Sequence, residues 1–208
     1  MKYITRNLEN VVRTVIKEYP AVLVTGPRQV GKTTMLQKLM EGTDRGYVTL
    51  YDLHERAIAK TDPELFLQLH KPPILIDEVQ YAPELFTYIK IDVDKNHAPG
   101  SFWLTGSQMF QMMRGVQESL AGRIAVLSLT SLSQAEIYGG VTEPFTIDLE
   151  TLSARRENRS PADTRDIFER IYRGSMPAIV SGANGSSQIF YSSYLSTYIE
   201  RDVKDLSD

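Results

Sequence analysis

Three features of the sequence predict an α/β fold, with a five-stranded parallel sheet between helices and an incomplete helical segment after it. Short apolar runs alternate along the chain with amphipathic, helix-period segments. Ala21 to Thr25 is a short apolar run, as expected of a strand buried on both faces. Pro20, Pro72-Pro73 and Pro99-Gly100 stand immediately before three such runs and mark where one element ends and the next begins.

Leu8, Val11, Val12, Val15, Ile16 and Tyr19 recur at three- and four-residue steps, a helix that Pro20 ends. Ala21 to Thr25 is the first strand. Gly26 to Thr34 follows, then a helix carrying Met35, Leu36, Leu39 and Met40. Tyr47 to Tyr51 is the second strand. Asp62-Pro63-Glu64 predicts an N-cap with proline at the first helical position. The helix beyond it is expected to bury Leu65, Phe66 and Leu69. Ile74 to Asp77 is the third strand, and Pro83 opens a helix with Leu85, Phe86, Ile89 and Val93 on one face. Ser101 to Thr105 is the fourth strand. Met109, Met112, Met113, Val116 and Leu120 predict a further helix, whose methionines read as core packing. Ile124 to Leu129 is the fifth strand. Ser133 and Glu136 have capping-box spacing for a short helix that Gly139-Gly140 closes.

Residues 1–140 are therefore expected to form the core. Residues 141–160, polar and with Arg155, Arg156, Glu157 and Arg159 close together, are expected to be a linker or mobile loop. Residues 161–208 are expected to be helical, with a start at Ser160, Pro161 and Asp163 and a stop at Gly174. Leu195, Tyr198, Ile199, Val203 and Leu206 stripe a last helix, read as the opening of a truncated second domain.

Composition narrows the chemistry. Of 208 residues, 42% are hydrophobic and 24% charged, ordinary for a soluble globular protein. The formal charge of -3 gives no global basic field for nucleic acid or anionic lipid. The chain contains no cysteine, which excludes disulfides, thiol catalysis and Cys-based zinc sites. His54, His70 and His97 are scattered and suggest no metal site. The N-terminus lacks a signal-peptide h-region and no apolar run is long enough to span a membrane. A cytoplasmic location without membrane contact is expected.

The most informative segment is Gly26-Pro27-Arg28-Gln29-Val30-Gly31-Lys32-Thr33-Thr34, which fits the P-loop pattern G-x-x-x-x-G-K-T between a strand and a helix. Glycines let the backbone curl so that N–H groups face phosphate oxygens. The helix after Lys32 adds its N-terminal dipole. Lys32 is expected to reach the β- and γ-phosphates of ATP, and the Thr33 hydroxyl to ligate Mg2+.

Ile74-Leu75-Ile76-Asp77-Glu78 is an apolar strand ending in two acids. Ligands of parallel sheets sit at the carboxyl ends of strands. Asp77 is expected to hold Mg2+ and Glu78 to orient and deprotonate an attacking water. Phe102-Trp103-Leu104-Thr105-Gly106-Ser107 brings a further polar strand end. Ser107 has two competing readings, a contact to the water or γ-phosphate and an N-cap of the methionine-rich helix. Arg123 is a candidate finger for charge on the transferring phosphate, with Arg114 as competitor.

Together these residues resemble the prokaryotic AAA+ P-loop ATPases that carry an uncharacterised C-terminal domain. The resemblance rests on the P-loop residues, on Ile76-Asp77-Glu78-Val79-Gln80, on Leu104-Thr105-Gly106-Ser107-Gln108 and on Ser119-Leu120-Ala121-Gly122-Arg123. It implies an AAA+-like core with the sensor strand between the P-loop and acid strands. It further implies Asp77 and Glu78 as Walker B acids, Ser107 at a position where AAA+ proteins often carry asparagine, and Arg123 as the finger. A finger implies self-assembly, with a protein or nucleic-acid partner left open.

Three classes of function remain at this stage. One is a Mg2+-dependent ATPase coupled to movement of its second domain. Another is a nucleotide-gated binding module with little turnover. The third is a small-molecule kinase, which Glu78 disfavours because a kinase attacks with its acceptor and not with water.

Overall fold

The computed structural model describes residues 3–107, 119–139, 145–157, 163–183 and 185–199. Its sheet comprises β1 (Ala21–Thr25), β2 (Gly46–Thr49), β3 (Ile74–Asp77), β4 (Phe102–Gly106) and β5 (Ile124–Ser128). The spatial order is β2-β3-β4-β1-β5, and every neighbouring pair is parallel. The expected sheet is therefore present, with β4 between the strand that feeds the P-loop and the strand that ends in acids. Parallel pairing sends all five carboxyl ends to one edge, where Thr25, Thr49, Asp77, Gly106 and Ser128 terminate the strands.

The local reasons are ordinary ones. Every residue of β1, β3 and β4 is buried, as a central strand between two helical layers requires. Helices α1 (Leu8–Val15), α2 (Lys32–Met40), α3 (Leu53–Thr61), α4 (Pro63–Leu69) and α5 (Leu85–Asn96) belong to the same unit as the sheet. The main core joins Leu23, Ile74, Ile76 and Leu104 of the strands to Phe66 of α4 and Leu85, Phe86, Ile89 and Val93 of α5. Asp62 ends α3 and caps α4 by accepting the Leu65 N–H at 2.9 Å. Truncating the fully buried Phe66 would cost about 3–5 kcal/mol in transfer and cavity terms.

The described residues between Ser131 and Ile199, with Tyr3 and Ile4, form a second compact unit. It holds α6 (Gln134–Tyr138), α7 (Leu149–Glu157), α8 (Thr164–Arg173), α9 (Pro177–Val180) and α10 (Ser187–Tyr194), the last running into a π-helical turn at Leu195–Ile199. Both halves of the expected capping box form, with Ser133 Oγ accepting the Glu136 N–H at 3.2 Å and Glu136 accepting the Ser133 N–H at 2.7 Å. Gly139 and Gly174 end α6 and α8 with φ of 71° at each. The Arg170 guanidinium stacks over Tyr138 at 4.1 Å.

Three expectations need correction. Leu65 and Leu69 are 41% and 59% exposed, so Phe66 alone of that trio enters the core. Helix α3 has no counterpart in the sequence reading, because only Ala59 along it is buried and the apolar stripe is correspondingly weak. The segment 141–160, read as linker or loop, contains α7. Leu, Glu, Ala and Arg there are strong helix formers, and Asp148 accepts the Thr151 N–H at 2.7 Å at the helix start. The methionine-rich helix with Arg114 lies outside the described residues, as do Val203 and Leu206.

Candidate functional site at the carboxyl edge of the sheet

The P-loop segment is shaped by three residues with positive φ: Gly26 (139°), Gln29 (62°) and Gly31 (94°). A Cβ at Gly26 would lie 2.0 Å from the carbonyl oxygen of Leu129, so no other residue fits there. The buried Arg6 fixes the loop from behind, donating to the carbonyls of Val30 and Thr130 at 2.8 Å each. Lys32, 5% exposed, opens α2 and turns its Nζ back to the carbonyls of Gly26 at 2.9 Å and Pro27 at 2.8 Å. Burial lowers the pKa of this ammonium, opposed chiefly by Glu78 and then Asp77, while Arg28 adds to the lowering.

Asp77 is the hub of the site. Its Oδ1 accepts from the hydroxyls of Thr33 and Thr105, both at 2.5 Å. Its Oδ2 lies 3.3 Å from the Thr49 hydroxyl and 3.4 Å from the Tyr47 hydroxyl. The register explains the gathering. Thr49 is the β2 partner of Asp77, and Ile76 pairs with Leu104, which places Thr105 beside Asp77.

Glu78 is 7% exposed and has a left-handed backbone, φ 59° and ψ 48°. The Thr105 hydroxyl accepts its N–H at 3.0 Å. The carboxylate takes a short hydrogen bond from Gln80 Nε2, one from Ser107 Oγ at 3.4 Å, and one from the Tyr51 hydroxyl at 3.3 Å. Tyr51 packs at 5.6 Å on Tyr81, which Arg56 covers at 3.9 Å. Burial, then the charge of Glu78, pushes the Tyr51 phenol up to about 12. Burial and then Asp77 raise that of Tyr47.

Lys32, Thr33, Asp77, Glu78 and Ser107 thus meet at one edge, drawn from α2, β3 and the end of β4. Arg123 does not join them. It precedes β5, whose first residue Ile124 pairs with Ala21 at the opposite end of β1. The five residues of β1 put roughly 16 Å between the two edges. At its own edge Arg123 makes a close ion pair with Asp94 of α5 and donates to the Ala121 carbonyl at 3.1 Å. The pair raises the pKa of Arg123 and holds Asp94 below the usual carboxylate value.

Arg6, Thr49, Tyr47 and Tyr51 were not among the expected site residues, and Gln80 and Thr105 stood only within the motifs that carry the resemblance. Thr49 and Thr105 carried a usable signal, as polar residues at the ends of otherwise apolar strands. Arg6, alone before an amphipathic helix, carried none.

These groups suit a nucleotide with Mg2+. The glycine-shaped cradle admits no side chain at Gly26, and an ammonium lies beside it. One hydroxyl and one carboxylate oxygen converge at 2.5 Å. Among the described residues no cluster of three or more His, Asp or Glu forms an all-protein metal cage. No helix of the described residues is long and apolar enough to cross a membrane.

Known proteins resemble this chain in sequence or fold. An uncharacterized protein of Mycobacterium tuberculosis is 26% identical over 198 residues, covering 94% of this chain. A protein of Mycobacterium bovis matches to the same extent. The chain spans 38% of the length of both. Among solved structures, a Walker-type ATPase of Pyrococcus abyssi superposes with a TM-score of 0.57 at 16% identity, over 99% of this chain and 76% of that one. The AMPPCP-bound DnaA of Aquifex aeolicus does so with a TM-score of 0.51 at 13% identity, over 93% and 64%. Likeness at that identity establishes the P-loop fold. The model of an AAA domain family matches residues 18–138, more than half of the chain, and the chain belongs to that family.

Proposed function

We propose that this chain binds ATP with Mg2+ and hydrolyses its β–γ bond. The observation that carries the reading is the convergence of Lys32, Thr33, Asp77 and Glu78, from two separate motifs, at one buried edge. The P-loop from Gly26 to Thr34 presents N–H groups to the phosphates, and Lys32 supplies positive charge there. Thr33 and Asp77 hold Mg2+, which when bound neutralises charge on the phosphate oxygens. Glu78 accepts the proton of the attacking water, and Ser107 stands beside it as a hydroxyl donor.

A phosphoryl acceptor other than water would make Glu78 redundant, which disfavours a kinase. The reading of a nucleotide-gated module with little turnover draws support from one fact: among the described residues, Gln80, Ser107 and Tyr51 already engage the Glu78 carboxylate. Arg123 is too far along the sheet to serve its own nucleotide, so a finger role would be exercised on a neighbouring subunit. Coupling to the residues beyond the sheet is part of the same proposal, since the curated relatives extend well past the matched region. A cytoplasmic setting, with its supply of ATP, suits this chemistry.

Phosphate release by the full-length polypeptide, with Mg-ATP and no added acceptor, tests the proposal. Phosphate should appear, stop on chelation of Mg2+, and be absent in Lys32→Ala. Binding without release would favour the gated module, and release only as transfer to a small molecule would favour the kinase.

A further inference from the structure

Gln80 is 8% exposed and sits in the 3-10 turn Val79–Tyr81. The left-handed backbone of Glu78 starts that turn and folds the Gln80 side chain back over the Glu78 carboxylate. Its Nε2 donates to Glu78 Oε2 in a short hydrogen bond and lies 3.3 Å from Ser107 Oγ. The amide orientation is fixed chemically, because the carboxylate has no proton to offer an amide oxygen. The Gln80 Oε1 is consequently buried and meets no donor among the described residues. A buried acceptor without a partner destabilises a fold. Among the described residues nothing offsets that cost at Gln80.

From this we infer that Gln80 is the positioning residue for Glu78 in hydrolysis, a role that rests on the ATPase reading above. Gln80 anchors one carboxylate oxygen to the turn and ties it to Ser107 at the end of β4. The other oxygen, Oε1, accepts from the Tyr51 hydroxyl at 3.3 Å, at the half-exposed edge of the site. A carboxylate held by one oxygen keeps the second aimed at the water, and a general base contributes only when so aimed. An unanchored Glu78 would sample rotamers that point elsewhere.

The inference separates function from stability. Gln80→Leu keeps most of the volume, removes the donor and also removes the orphaned acceptor. In the full-length polypeptide kcat should fall by about tenfold or more, part of the 10²–10⁴ that a positioned base supplies. KM for ATP should stay within about twofold, and the melting temperature should be unchanged or higher. Gln80→Asn, which keeps an amide one methylene shorter, should recover part of kcat. Gln80→Leu placed on Glu78→Gln should cost nothing further, because the residue acts through Glu78. Parental kcat in Gln80→Leu, with Glu78→Gln inactive, would overturn the inference and leave the ATPase reading intact. A fall in kcat accompanied by a lower melting temperature and a raised KM would make Gln80 structural and would also overturn it. Turnover in the parent no higher than in Glu78→Gln would overturn the ATPase reading, and this inference with it.

Discussion

The two edges of the sheet use charge in opposite ways. At the carboxyl edge, Asp77 and Glu78 are buried and receive their contacts from side chains: Thr33, Thr49 and Thr105 around the first, Tyr51, Gln80 and Ser107 around the second. At the amino edge, Arg45 lies 3.9 Å over Trp103 and donates to the main-chain carbonyls of Gly100 at 2.8 Å and of Ile74 and Ser101 at 3.3 Å. Main-chain partners cannot rotate away, so Arg45 is a fixed strut. Hydroxyl partners can rotate and be exchanged for a cation or a water. That difference separates an edge suited to chemistry from one that serves stability, and it can be tested edge by edge.

The largest expected effect is at Lys32. Mg-ATP at one hundred times its Kd should stabilise the parent by about 2.7 kcal/mol, or roughly 5–10 °C in Tm. Lys32→Ala should lose most of that gain, read by thermal unfolding with and without nucleotide. Thr105→Val comes next. It removes a donor to Asp77 and the acceptor of the Glu78 N–H, leaving a buried amide unpaired at about 1–3 kcal/mol. It should also raise the Mg2+ concentration needed for half-maximal turnover. Arg45→Met at the opposite edge should destabilise by a similar or smaller amount, about 1–2 kcal/mol, with ATP affinity unchanged. A change in affinity there would break the division between the edges.

The smallest effect is expected at Asp94. Its pKa is held down by Arg123, and a carboxylate lowered in the folded state contributes fully above its ordinary value of 3.8. That contribution is lost only as pH falls through the lowered folded value. Asp94→Asn and the parent should therefore show the same difference in Tm at pH 7 and pH 5. A difference that opens between those two pH values would mean that Asp94 titrates above its ordinary value and would contradict the hold by Arg123.

The sequence made the carboxyl edge partly legible. Gly26 to Thr34 and Ile74 to Glu78 are contiguous, and each announces its geometry through residue types at fixed spacing. Strands β1 and β4 were legible because each is an apolar run up to its polar end, Thr25 in one and Thr105 in the other. Thr49 and Thr105 showed only as polar strand ends and Tyr51 not at all, because strand register brings them to Asp77 and Glu78 from 27 or 28 residues away. Arg6 reaches Val30 from 24 residues away and Thr130 from 124. Helix α7 escaped notice because its residues are exposed or half-exposed and leave no periodic apolar stripe.

The central claim is that Glu78 makes water a nucleophile at a site that binds ATP without it. Paired measurement of Mg-ATP affinity and phosphate release in the parent and in Glu78→Gln tests this most directly. The substitution preserves shape and removes the base. The account predicts a Kd within about threefold of the parent and turnover lower by about 10²-fold or more, roughly 2.7 kcal/mol of barrier. Equal turnover in the two proteins would contradict it.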